Sequence, residues 1–288
     1  LLIKSNILKS KNRIIIVCLL CALASILLNI VFILSFNYSD NFYNYKESLN
    51  GPDITYLYID LSKTTTKIDL TSIIMEDDSV QDVEINETLY CHGESEFGDG
   101  SILKLFSLYS ESNYKDIKVN QFEILEKDDS ITSGIYLSYI YKAAQNYKIN
   151  DKIKLTISND EYEYTIKGFY NNITTGTINC VDVSYILTDD LYDDLLIKLD
   201  SLYRISVICK EGVDVDLATR NISKSILEKY PNLYLNHSQT ILDTYNSRYS
   251  NAKLFQTILL VSSILIILIL LVMVAIVLSN YVRSNIAN

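Results

Sequence analysis

Cys91 and His92 stand side by side, and adjacent soft ligands are half of a zinc site. No second close pair accompanies them, so no structural metal is expected. Asp189, Asp190, Asp193 and Asp194 (TDDLYDDLL) gather carboxylates of the kind calcium takes, but the alternating ligands and central glycine of an EF-hand loop are missing. The plainer expectation is an acidic first helical turn, favoured by the macrodipole, with Leu191, Leu195 and Leu196 turned inward. His92 and His237 are the only histidines, and neither has a nucleophile and carboxylate at motif spacing. Gly-x-Ser-x-Gly, His-Glu-x-x-His and phosphate-cradling glycine loops are absent, and eight glycines leave little room for the last. No catalytic, cofactor-binding or metal-binding residue is therefore expected. Cys18 and Cys21, three apart on one helical face, are expected to be packing residues. Cys91, Cys180 and Cys209 are odd in number, so at most one internal bridge is possible among them. Matches to Asn-x-Ser/Thr, such as Asn172-Ile173-Thr174, matter only in a glycosylating host.

Two uncharged runs bracket the chain at residues 14–36 and 257–278. At roughly 1.5 Å per residue each covers a hydrocarbon core of about 30 Å as a helix. The first run exceeds a signal-peptide core and no small-x-small site follows it, so an uncleaved helix is expected. Lys4, Lys9, Lys11 and Arg13 precede the first run and Arg283 follows the second, with no acidic residue at either end. Basic flanks stay cytoplasmic. Taking those five from 25 basic residues leaves 20 in residues 37–256, which with all 35 acidic residues gives that segment a formal charge of −15. Both ends are expected inside a bacterial cell membrane and the acidic segment outside it. Acidity keeps such a surface solvated, and it also attracts cationic ligands such as a basic peptide. The two runs hold no ionisable residue, which argues against an ion relay through them. The chain opens on Leu1 rather than Met and stops soon after the second run, and a fragment of a longer protein is expected.

The segment between the runs alternates strand and helix signals. Residues 37–49 are polar and continue the first helix outward until Gly51-Pro52 ends it. Residues 54–61 (ITYLYIDL) predict a strand, and Asp69 is placed to cap a short helix through Met75 with Ile73 and Ile74 inward. Strands are expected at 80–85 and 102–107, with a loop at 94–100. Ser138 is a candidate cap for a helix burying Ile140, Ala143, Ala144 and Tyr147. Asn150-Asp151 then turns the chain into a hairpin of strands 152–157 and 162–169. Residues 203–209 predict a strand. Asp214 caps a helix striped by Val215, Ala218, Ile222, Ile226 and Tyr230, with Pro231 at its end. A short strand follows at 233–235. From Gln239 no breaker occurs, so the second membrane helix is expected to begin as a stalk. The predicted fold is an α+β extracytoplasmic domain flanked by two transmembrane helices with helical stalks. Its parts are a basic segment at 1–13, spans at 14–36 and 257–278, the domain with its stalks at 37–256, and a cytoplasmic exit at 279–288.

Three pieces, in order, resemble the FtsX-like/MacB-like permeases of ABC transporters. Residues 8–13 (LKSKNR) lead straight into the first span. GIYLSYIYKAAQNYKINDKIKL followed by EYTIKGFY, within 134–169, is similar to the family's external core pattern. Residues 277–288 (VLSNYVRSNIAN) resemble the cytoplasmic exit of its second span. The resemblance implies a non-catalytic membrane subunit, without a cofactor of its own, that pairs with a separate ATP-binding subunit and a second permease copy in the lipid bilayer. It implies motion passed along the stalks to the external domain, and a core built from both ends of that domain with a segment inserted between them. No nucleic-acid partner is expected. The alternative is a two-span sensor of histidine kinase or chemoreceptor type, which shares the order of span, domain and span.

Overall fold

The computed structural model describes residues 2–60, 70–97, 101–174, 183–199 and 201–286. In chain order the elements are α1 (Leu2–Ser48), β1 (Ile54–Asp60), α2 (Thr71–Met75), β2 (Val80–Phe97), β3 (Ser101–Ser110), α3 (Asn113–Asp116), β4 (Glu123–Lys127) and β5 (Ile135–Ser138). They continue with α4 (Tyr139–Gln145), β6 (Lys152–Ile157), β7 (Asp160–Asn171), β8 (Val183–Leu187), α5 (Asp189–Leu196), β9 (Ser201–Cys209), α6 (Val215–Lys229), β10 (Leu233–Thr240) and α7 (Ile241–Ile286). The chain divides into two units, Leu1–Phe42 with Tyr249–Asn288, and Tyr43–Arg248.

The described residues of the first unit are helical. Within α7, Ala252–Ile276 is long and apolar enough to cross a membrane, with mean hydropathy 3.3. The apolar part of α1 among the described residues is shorter, Cys21–Ile33, so one helix and not two meets that test. Ala24 and Val31 on α1, and Ser263 and Leu270 on α7, are buried. Each pair is seven residues apart, the repeat of a coiled-coil seam. Cys18 and Cys21 are exposed, contrary to the packing expectation, and lie off that seven-residue spacing.

The second unit contains one ten-stranded sheet that closes partly on itself. Strand β2 pairs with β3, β3 with β8, β8 with β5, β5 with β7, β7 with β6, and β6 with β2 again. These six strands form a closed barrel, which leaves them no free edge. Its interior is filled by residues such as Leu89, Phe106, Leu137, Leu155, Ile166 and Tyr185, all without exposure. The sheet also continues from β2 outward through β9 and β1 to β10. That open part is covered by α2 and α6, which bury Ile73, Ile74, Ala218, Ile222 and Ile226 against Ile54, Ile205 and Val207. Strands from both ends of the domain therefore share one sheet, with the barrel inserted between them.

Several local expectations hold for physical reasons. The Asp214 side chain accepts from Leu217 N–H at the start of α6. The expected hairpin forms with a tighter turn than the 158–161 expected: Ile157 and Asp160 already pair across two residues with positive φ at Ser158 (52°) and Asn159 (76°), the backbone that a hairpin loop of this length requires. Among the described residues, five of the six with positive φ other than glycine are asparagines. Asparagine tolerates the left-handed region, so it supplies the turns of a glycine-poor chain.

Other expectations are corrected. Residues 94–97 are not a loop: Glu94 and Ser95 pair with Thr156 and Leu155 of β6 while 95–97 pair with β3. Partners on two sides override an acidic, loop-like composition. The strands begun at Val80 and Leu233 run on to Phe97 and Thr240. In α4 the buried residue is Tyr141, while Ala143 and Ala144 are exposed and Ile140 and Tyr147 only half-buried. The helix has seven residues, too few to need a stripe, and Tyr141 anchors it by reaching the Tyr185 hydroxyl inside the barrel at 2.5 Å. Ser138 flanks α4 without a side-chain cap bond. Leu196 is exposed, whereas Leu195 is buried and Leu191 packs against the barrel core. Residues Leu61, Asp69 and Cys180 lie outside the described residues. Strands β4, β5 and β8 and helix α3 carried no clear sequence signal.

Candidate force-transmitting junction

The acidic residues first considered for chemistry have hydrogen-bonded partners. Asp189 accepts from Ser112 N and Oγ, both at 2.9 Å, and Asp190 accepts from Ser133 Oγ at 2.6 Å. These carboxylates tie the first turn of α5 to neighbouring loops. Among the described residues no three of His, Cys, Asp and Glu gather as a metal site. The Cys91 thiol lies in the barrel core, and burial pushes its pKa up to about 12. Burial thus favours the protonated thiol. Cys209 belongs to the other core, under α6, and both cysteines are free.

Polar side chains converge instead where the second unit receives the end of α1 and the start of α7. The sequence Ser48-Leu49-Asn50-Gly51-Pro52 stops α1 with a Schellman cap. Asn50 takes φ 48°, its N–H donates to Glu47 O at 3.1 Å, and Gly51 N–H donates to Lys46 O at 2.7 Å. A Cβ on Gly51 would lie 2.8 Å from Lys46 Cγ and 3.1 Å from Ile173 Cγ2, so glycine lets the cap close tightly. Pro52 then prevents further helix.

Asp53 is the first tie. Its carboxylate pairs with Lys46 Nζ at 2.7 Å and accepts from Cys209 N at 2.8 Å. Its main chain donates to Val207 O at 2.8 Å and accepts from Ile241 N at 2.7 Å. One residue thus joins the last turn of α1, strand β9 and the first residue of α7. That first turn is closed by Thr240 and Asp243: Thr240 Oγ1 donates to Asp243 Oδ2 at 2.8 Å, and Asp243 N donates to Thr240 Oγ1 at 3.2 Å. This reciprocal capping box gives α7 a defined start.

Asn172, immediately after β7, is the second tie and is fully buried. Its Nδ2 donates to Asn120 O at 2.9 Å and Gln121 O at 3.1 Å, and its Oδ1 accepts from Thr174 N and Oγ1 at 2.9 and 2.6 Å. Its carbonyl accepts from Arg248 Nη2 of α7 at 2.5 Å. The 118–121 loop is held from two further sides. Glu84 of β2 accepts from Lys118 N and Val119 N, while Asn120 N and Gln121 N donate to Asn50 O and Leu49 O. Tyr45 donates to Glu123 Oε2 at 3.0 Å, and burial, reinforced by that carboxylate, raises its pKa. Tyr43 and Tyr245 stack with centroids 6.0 Å apart.

Among the described residues, the junction's hydrogen-bond network and the Lys46–Asp53 ion pair can hold position and transmit load. Sequence reasoning placed the cap at Gly51-Pro52 but missed the network. Asn172 entered only as a glycosylation match; with its amide buried and donating twice it is closed to modification in the folded chain. Thr240-x-x-Asp243 before an apolar run was a legible capping signal. Asn50, Glu84, Asn120 and Arg248 had no spacing to mark them.

No family model matches this sequence, and no curated protein matches it. Among solved structures, the chain is similar to a Bacillus anthracis protein described as a lipoprotein, at 8% identity over 65% of this chain and 97% of that one, TM-score 0.33. It is similar to the periplasmic region of MacB from Actinobacillus actinomycetemcomitans, at 9% identity over 69% and 93%, TM-score 0.30. It is similar also to the extracellular domain of the noncanonic ABC-type transporter YknZ from Gram-positive bacteria, at 8% identity over 64% and 100%, TM-score 0.31.

Proposed function

We propose that this chain is a membrane subunit of an ABC-type transporter, FtsX-like or MacB-like, whose residues 37–256 lie outside the cytoplasmic membrane. Residues 14–36 and 257–278 cross it and both ends face the cytoplasm. The subunit is non-catalytic. A separate ATP-binding subunit drives it, and a second permease copy completes the working unit. The observation that carries this reading is the form of α1 and α7. Each is one unbroken helix, of 47 and 46 residues, and each ends in the capped, cross-tied junction at Asp53 and Asn172. A simple tether needs neither feature. A long helix with a fixed end transmits displacement, because bending it breaks main-chain hydrogen bonds. The ordered sequence resemblance at 8–13, 134–169 and 277–288 supports the same reading. The export, extraction or activation of an external partner would follow from movement of the domain.

The test is purification of the chain from its native membrane after mild cross-linking. A co-purifying ATP-binding subunit, with ATP turnover that depends on this chain, is expected. Autophosphorylation on histidine, with no such subunit, would identify a sensor instead.

A further inference from the structure

We propose that the barrel is a hinged clasp: residues 123–171 swing on the β5/β8 contact, and a ring of three buried hydroxyls, Ser95, Tyr141 and Tyr185, fastens the opposite contact between β2 and β6. This is independent of the transporter reading above. Strands β4, β5, β6 and β7 come from that one continuous stretch, and β7 pairs with the other three. The rest of the barrel is β2, β3 and β8, in which β3 pairs with β2 through seven residue pairs and with β8 through five. Among the described residues the two parts meet along two short ladders. Strand β6 meets β2 through three pairs, Gly93–Ile157, Glu94–Thr156 and Ser95–Leu155, and β5 meets β8 through two, Ile135–Leu187 and Tyr136–Ile186.

Side chains mark one ladder as the hinge and the other as the opening. Around β5/β8, Gly134 N donates to Thr188 Oγ1 and Thr188 N donates to Gly134 O, both at 3.0 Å. Tyr136 and Lys167 both donate to Glu111, at 2.9 and 2.8 Å, and Tyr170 donates to Ser184 O. The β2/β6 ladder instead coincides with a register shift in the β2/β3 ladder, between His92 and Ser95. There the crossing side-chain bonds run through the ring. Tyr185 donates to Ser95 Oγ at 2.8 Å, the Ser95 and Tyr141 hydroxyls lie 3.3 Å apart, and those of Tyr141 and Tyr185 lie 2.5 Å apart. All three residues are fully buried. A hydroxyl gives one hydrogen bond and can receive another, so donation can circulate round the ring and satisfy all three in a dry interior. Ser95 and Tyr185 belong to one part of the barrel and Tyr141, on α4, to the other. Parting β2 from β6 withdraws Tyr141 from both partners, so the ring sets the free energy of local opening at that ladder.

Hydrogen exchange on the full chain in nanodiscs tests this. Tyr141→Phe keeps the aromatic packing and removes the ring's bonds between the two parts. Exchange should quicken about tenfold at 93–95 and 155–157, while 135–137 and 183–187 stay as protected as in the parent. Ser95→Ala, which severs the ring from β2, should act alike. An oxidised Glu94→Cys/Thr156→Cys pair, fastening the same ladder from its outer face, should cancel the effect of Tyr141→Phe. Thr188→Val should instead quicken 134–136 and 186–188. Unchanged exchange at 93–95 and 155–157 in Tyr141→Phe would overturn the clasp. Equal acceleration at 135–137 and 183–187 would make Tyr141 a general stabiliser and overturn it too. The readout needs no ATPase, so it stands apart from any test of the transporter reading.

Discussion

Replacing Asn172 by alanine perturbs the junction at its most enclosed point. The substitution removes two donated and two accepted hydrogen bonds from a fully buried side chain. Asn120 and Thr174, themselves 3% and 6% exposed, then have groups that water reaches poorly. A net hydrogen bond contributes about 1 kcal/mol, and a stranded buried group costs about 1–3 kcal/mol. With Gln121 exposed and able to recruit water, we predict a loss of about 3 kcal/mol. For a domain of this size about 1 kcal/mol shifts Tm by about 2–4 °C, so melting should fall by about 10 °C. Asn172→Asp keeps the acceptor for Thr174 but buries a charge, so its deficit should grow as pH rises through the raised pKa of the new carboxyl. Circular dichroism of the full chain in detergent measures both. If Asn172→Ala melts within about 2 °C of the parent, the network is ornamental and the account of the junction is wrong.

Gly93→Ala should open the barrel, because the new Cβ would stand 1.9 Å from Thr156 O where β2 meets β6. We predict a loss of about 3 kcal/mol or more, and near-normal melting would refute closure through that pair. Stability should fall as pH rises above about 9. Burial raises Cys91 from 9.0 to about 12, and Tyr56 and Tyr141 from 10.0 to about 12. Between those values the unfolded chain has released protons that the folded chain keeps, so each rise in pH favours unfolding. Tyrosinate absorbance that rises before ellipticity is lost would contradict this. A cysteine introduced at exposed Asp190 should react with an impermeant thiol reagent on intact cells; labelling only after lysis would reverse the proposed topology.

Local chemistry was legible in this sequence and long-range pairing was not. The Asp214 cap and the Ala218-Ile222-Ile226 stripe depend on residues a few positions apart and stand where periodicity put them, and the 152–169 hairpin forms with a turn two residues tighter than expected. Barrel closure depends on pairs such as Gly93 with Ile157 and Phe106 with Val183, which no local period encodes. The junction was hidden for another reason. Its work is done by main-chain carbonyls and by asparagines, whose composition reads as loop. Even Asn172 was noticed for the wrong property. In α4, the apparent stripe of Ile140, Ala143, Ala144 and Tyr147 lost to one tyrosine reaching a buried hydroxyl.

Motion of the external domain under ATP is the central claim, and a distance measured across that domain tests it most directly. Spin labels at Asp190 on α5 and Leu217 on α6, both exposed, report on the barrel and the open sheet respectively. In the full chain assembled with the proposed ATP-binding subunit, the distance distribution should shift between the nucleotide-free and ATP-bound states. An unchanged distribution while ATP is being hydrolysed would contradict the account.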